Sequence, residues 1–169
     1  GLHSLDESEI GWWLDHVAAG NAYVNRAITG AVVQRQPFGG WKRSTVGPGA
    51  KAGGPNYVAS LGSWQEVAPP DGTDAQPQRA DLRDAVDALA ASVARAELAA
   101  TAVSYETAWQ VHFGRDHDPS GLVSESNRFR YRRLLGPCLL RVEADASPLD
   151  VARAMLAAVT TGTSLRVSL

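Results

Sequence analysis

The sequence predicts an α/β chain in two parts: the end of one α/β domain and, past a linker, a helix and the opening of a second, parallel α/β module. Three observations carry this. Residues 138–169 read strand, helix, strand within about thirty residues, the spacing of a parallel crossover. Ala68 to Ala80 (APPDGTDAQPQRA) has three prolines, a glycine and no apolar periodicity, which is the composition of a linker. Before it, Ile28 to Tyr57 holds seven of the sixteen glycines, between Gly30 and Gly54, so this loop is built to work with its backbone. The expected division is residues 1–67, a linker at 68–80, and a partial module at 81–169.

Taken in order, residues 4–19 read as an amphipathic helix. Ser4 and Glu7 have the spacing of a capping box, Ile10, Trp13, Leu14 and Val17 form its apolar stripe, and Gly20 stops it. Ala22 to Asn25 (AYVN) reads as a short strand, with Ala31 to Val33 continuing the extended course. Asn56 to Trp64 (NYVASLGSW) has the aromatic and β-branched content of a strand closing the first part. Asp81 to Ala102 reads as one helix with Leu82, Val86, Leu89 and Val93 along a stripe. A polar connection near Gly114 to Ser126 leads into the alternating stretch Asn127 to Arg133 (NRFRYRR), an edge strand packing its aromatics inward. Cys138 to Glu143 is a strand. Ser147 caps the next helix with Pro148 at its first position, Val151, Met155, Ala158 and Val159 share a face, and Gly162 ends the helix before the strand Ser164 to Leu169.

Composition narrows the function. Sixteen basic against eighteen acidic residues give a net charge of −2, so the whole chain has no electrostatic case for nucleic acid or an acidic membrane. The one cysteine, Cys138, excludes an internal disulfide framework and a cysteine-rich zinc site, and suits a reducing compartment. Its strand-like setting, GPCLLRV, predicts a buried structural thiol rather than a nucleophile. No apolar run approaches the ~20 residues that span a bilayer. The opening residues, without Met or a signal-like flank, and the closing strand predict a piece of something longer.

Three signals invite other functions and are set aside. GPGAKAGG fits neither the Walker pattern nor GxGxxG, and Pro55 disfavours a helix after it, so Lys51, Gly53 and Gly54 are expected to shape a turn. His112 and His117, with Asp116 and Asp118, match no common metal spacing, and no metal is expected. Interleaved Arg128, Phe129, Arg130, Tyr131 and Arg132 could stack single-stranded nucleic acid, against which the overall negative balance argues.

The elements YVN, TGA, QPFGG and KAGGP, in this order within GNAYVNRAITGAVVQRQPFGGWKRSTVGPGAKAGGPNYVASLGSW, resemble the C-terminal end of aldehyde dehydrogenases that oxidise L-glutamate γ-semialdehyde. The likeness is to the dehydrogenase module of bifunctional proline utilization A proteins, and residues 81–169 look like the start of the accessory module found in longer members. The resemblance implies that residues 1–67 are the end of the aldehyde dehydrogenase catalytic domain with its terminal strand. It also implies an NAD-dependent oxidation of the semialdehyde to glutamate in proline catabolism, in the cytoplasm. In that reaction a cysteine thiolate attacks the aldehyde, hydride passes to the nicotinamide, and an activated water releases the acid. The nucleophile and the NAD-binding domain are expected upstream of Gly1, so the fragment alone is expected to be inactive and to bind no cofactor. FAD is implied only if a proline dehydrogenase domain precedes. What carries over here is substrate anchoring: the amides of Gly30 and Ala31 on the α-carboxylate and Phe38 against the aliphatic part. The strand near Trp64 is implied to make homo-oligomer contacts. A second reading, from a different class, is a non-catalytic binding or scaffold module derived from the same family.

Overall fold

A computed structural model describes residues 1–169 except 31, 33, 34, 47–49 and 66–74. Two compact units result, Gly1–Gln65 with His117–Phe129, and Glu66–Asp116 with Arg130–Leu169. The segment 117–129 therefore packs with the first unit although it follows two helices of the second.

In the first unit, α1 spans Glu7–His16. Its N-cap is Asp6, whose carboxylate accepts from Ser8 N (2.8 Å) and Glu9 N (3.3 Å), so the expected Ser4–Glu7 capping box is corrected. Asp6 offers a charged acceptor to the orphan amides, which a hydroxyl cannot match. Ser4 instead accepts from Asp6 N at 3.0 Å and donates to Glu9 at 2.5 Å. Ile10, Trp13, Leu14 and Val17 are the half-buried stripe, as their spacing predicts, while the helix ends at His16 rather than near residue 19. The expected strand at 22–25 is a single parallel bridge, Leu2 to Val24, stopped where Asn25 takes a φ of 55°. The Asn25 amide then clips the chain to Ser4, accepting from Ser4 N at 2.9 Å and donating to Ser4 O at 2.7 Å.

The expected strand at 56–64 is corrected as well. Val58–Leu61 is a 3-10 turn, followed by bends, and Val58, Leu61 and Trp64 are 76%, 77% and 83% exposed. Strand preference is realised only against a partner strand. Among the described residues none lies beside this segment, so its backbone takes local bonds such as Ser60 N to Tyr57 O at 3.3 Å.

In the second unit the single helix expected at 81–102 is two, α2 (Ala80–Leu89) and α3 (Arg95–Ala108), the latter running into a π-helical turn, Trp109–Phe113. The chain breaks at 90–94 so that α3 folds back. Leu82 and Val86 of α2 then bury against Leu98, Ala99 and Ala102 of α3 and Ala152 and Leu156 of α4 (Pro148–Thr161). Burying each of the larger side chains is worth about 1.5–3 kcal/mol, more than the propensity lost in a five-residue break. Glu106, buried on α3, accepts from Gln78 N (2.7 Å) and Arg79 N (2.8 Å), capping the start of α2 from a neighbouring helix. Arg79 in turn donates to the carbonyls of Thr160 (2.7 Å) and Val159 (3.1 Å), a cation on the C-terminal end of α4.

The crossover is present as expected. β1 (Cys138–Arg141) and β2 (Leu165–Ser168) pair in parallel, Cys138 opposite Leu165 and Arg141 opposite Ser168, with α4 between them. Pro148 opens α4 and Gly162, at φ 64°, closes it with its amide on Ala158 O and Val159 O. Cys138 is exposed, which corrects the expected buried thiol. The sheet has two strands, and Cys138 and Leu139, which point to opposite faces of β1, are both exposed at its start. The edge strand expected at 127–133 is also absent: Phe129 bridges His117 in the first unit, while Tyr131 belongs to the second, packing on Phe113 and His112. The chain passes between units at this point, so the two aromatics never share a strand face.

Candidate functional site

The loop that carries the expected anchor residues lies in the first unit. Gly30 sits at φ 84°, exposed, with nothing within 4 Å of where a Cβ would stand. Ala31 lies outside the described residues. Phe38 pairs with Ala52 in an antiparallel bridge, its amide donating to Ala52 O (3.2 Å) and accepting back through its own carbonyl (2.9 Å). The residue is 64% exposed rather than packed in a core. Gly30 and Phe38 are tied through Gln36, whose buried amide lies 3.2 Å from the Gly30 carbonyl and two residues before Phe38.

A cluster with no local signature surrounds this turn. Glu125, on the returning segment 117–129, pairs with Arg26 at 3.2 Å and with Arg35, one guanidinium from each side of the turn. The Gln36 amide also faces the Arg26 guanidinium and, at 3.2 Å, the buried Asn127 side chain. Two arginines against one carboxylate leave a net positive charge beside Gly30, which favours an anionic ligand. These partners are 90 to 99 residues apart in sequence, and no periodicity or spacing could have joined them.

Asp118 shapes the returning segment. Its carboxylate accepts from Ser120 Oγ (2.6 Å), Asn127 N (2.9 Å), Ser120 N (3.0 Å) and Gly121 N (3.2 Å). These bonds, led by the Ser120 hydroxyl, hold its pKa down to about 2. His117 is engaged through its backbone with Phe129, and His112 Nε2 lies 3.1 Å from Tyr131 Oη. Among the described residues no group of three His, Cys, Asp or Glu is placed to hold a metal.

On the other side of Phe38, Lys51 is drawn inward. Its ammonium donates to Gly20 O (2.8 Å), Gly39 O (2.8 Å) and Asn21 Oδ1 (3.2 Å), and desolvation lowers its pKa. Gly53, at φ 72°, and the bond from Gly54 N to Lys51 O (2.8 Å) close the turn that follows.

Among the described residues no crossover fits a dinucleotide. The only parallel crossover among the described residues joins β1 to α4 through Val142 to Ser147 (VEADAS), which has no glycine for close approach and carries Glu143 and Asp145 where a pyrophosphate would sit. Nor is any described helix long and apolar enough to cross a membrane.

The profile described as Aldehyde dehydrogenase family matches residues 1–67. The chain is 46% identical over 69 residues to the bifunctional protein PutA of Rhizobium meliloti, covering 41% of this chain and 6% of that protein. It is 58% identical over 40 residues to a 1-pyrroline-5-carboxylate dehydrogenase of Bacillus thuringiensis, covering 24% of this chain and 7% of that protein. The solved structure of Proline Utilization A (PutA) from Corynebacterium freiburgense matches 98% of this chain, with a TM-score of 0.79 and 44% identity, over 16% of its own length. The chain thus spans a small part of each of these proteins. Residues 1–67 are thus similar to an aldehyde dehydrogenase family segment of the kind found in 1-pyrroline-5-carboxylate dehydrogenases and bifunctional PutA proteins.

Proposed function

We propose that this chain is the substrate-anchoring portion of a cytoplasmic, NAD-dependent L-glutamate γ-semialdehyde dehydrogenase that makes glutamate in proline catabolism. The observation that carries it is the anchor loop itself. A positive-φ glycine followed by alanine stands exposed beside an excess of guanidinium charge, and Phe38 projects from a hydrogen-bonded loop eight residues on. Consecutive amides at such a turn make a concave anion site. The Gly30 and Ala31 amides receive the α-carboxylate and Phe38 covers the aliphatic carbons. Ala31 takes its role from the family motif alone. Each charge-assisted bond contributes about 1.5–3 kcal/mol, so two of them separate a carboxylated aldehyde from a plain one by roughly a hundredfold or more. The thiolate nucleophile and the NAD site belong to other parts of the enzyme, and residues 81–169 to its accessory module. Homo-oligomer contacts are assigned to the segment around Trp64, and the exposure of Val58, Leu61 and Trp64 supports this.

The test is Ala31→Val in the intact enzyme. Its KM for glutamate semialdehyde rises at least tenfold, on the order of one lost charge-assisted bond, while KM for propanal stays within about twofold. Equal changes for both aldehydes would sink the anchor.

A further inference from the structure

We propose that Lys51 is a positioning residue for the substrate anchor, its ammonium locking the loop that presents Phe38. This rests on the reading of Phe38 as part of the substrate site. An ammonium has three N–H donors, and all three are used here, on Gly20 O, Gly39 O and Asn21 Oδ1. None is left over for a substrate carboxylate, so Lys51 acts through the loop and not on the ligand. The grip is two-sided. Lys51 bonds the carbonyl just after Phe38 with its side chain, and its neighbour Ala52 exchanges both backbone bonds with Phe38 itself. Asn21 completes the node, donating to Pro37 O at 3.0 Å. Phe38 is therefore bracketed by tethered carbonyls, Pro37 before it and Gly39 after it.

The glycines around Lys51 are explained by the same node. A Cβ on Gly39 would lie 2.9 Å from Lys51 Cγ and 3.2 Å from its Cα, and one on Gly20 would lie 2.7 Å from the Gly39 carbonyl oxygen. Close approach of three backbone segments lets one ammonium reach both carbonyls. QPFGG and KAGGP are then two halves of one device, although the spacing alone assigned the second only to a turn. The lowered pKa of Lys51 follows from its withdrawal from water and fits a lysine held for structure around the site.

The experiment compares Lys51→Met and Phe38→Ala in the intact enzyme, by kinetics on glutamate semialdehyde and propanal and by amide hydrogen exchange. Methionine keeps the aliphatic stem and removes the ammonium. For Lys51→Met, kcat/KM for the semialdehyde falls about tenfold or more, chiefly through KM, with propanal changed less than about twofold. Exchange in residues 38–41 quickens at least tenfold while α1 is unchanged, which a loss confined to global stability would not produce. If Lys51→Met does not fold, Gly39→Ala crowds the lysine stem without removing its charge and gives the same pattern in milder form. Unchanged exchange and kinetics in Lys51→Met, with selectivity lost in Phe38→Ala, overturn the Lys51 role alone. Selectivity kept in both variants overturns the anchor reading and this proposal with it.

Discussion

Gly30 offers the sharpest quantitative test, because its side-chain position is empty and its backbone is not ordinary. At φ 84° an L-residue suffers the contact between Cβ and its own carbonyl that glycine avoids, a cost of about 1–2 kcal/mol. A Cβ there meets nothing within 4 Å, so Gly30→Ala loses no contact and creates no clash with a neighbour. The whole effect is conformational. If the turn must hold this φ to aim its amides, the cost is charged to substrate binding, and roughly 1.4 kcal/mol per tenfold converts it to a fivefold to thirtyfold fall in kcat/KM. Asparagine tolerates positive φ better than alanine, so Gly30→Asn falls between the two. The assay is steady-state kinetics of the three proteins on glutamate semialdehyde and propanal, with thermal unfolding alongside. Alanine and asparagine variants indistinguishable from the parent, or equally impaired on both aldehydes, would refute the reasoning.

Two further outcomes concern the scaffold. Glu106→Gln replaces a buried carboxylate that accepts from Gln78 N and Arg79 N with a side chain offering a single acceptor, leaving one partly buried amide unpaired; urea unfolding shows a loss of about 1–2 kcal/mol, and a loss below about 0.5 contradicts the cap. Asp118, with its pKa depressed from 3.8 to about 2, holds the returning segment fully above pH 3.8 and releases it as pH falls through about 2. The Asn127 amide resonance, followed by NMR, titrates with a midpoint near 2, and Asp118→Asn abolishes that titration. A midpoint at 3.8 would mean that the carboxylate is not bonded as described.

How much of this could be read from residue order differs by element. The stripe of α1 and the crossover at 138–169 were legible, because side-chain periodicity and the Pro148 and Gly162 boundaries act within a few residues of themselves. The cap of α1 lies two residues beyond the one its spacing suggests, since Ser4 and Asp6 both satisfy the local rule and only their bonding partners separate them. Segment 56–64 and Cys138 depart from local expectation for one reason: strand pairing and burial need a neighbouring strand or layer, and an apolar or β-branched residue does not state whether that neighbour is beside it. The residues of the proposed site differ in how far they are legible. Gly30 and Phe38 stand out by motif, whereas Glu125, Asn127 and Gln36 look like ordinary polar residues until the chain returns.

By itself, then, the sequence determined the strand–helix–strand unit, the amphipathic face of α1 and the order of the anchor motifs, all of them consequences of sterics and spacing over a few turns of chain. Only the tertiary structure decided that the alanine-rich stretch breaks at 90–94, that residues 117–129 return to the first unit, and that Lys51 points inward to three acceptors. Those outcomes depend on which distant surfaces can satisfy a buried charge or an apolar face, and that competition is settled by packing across tens of residues rather than by any local preference.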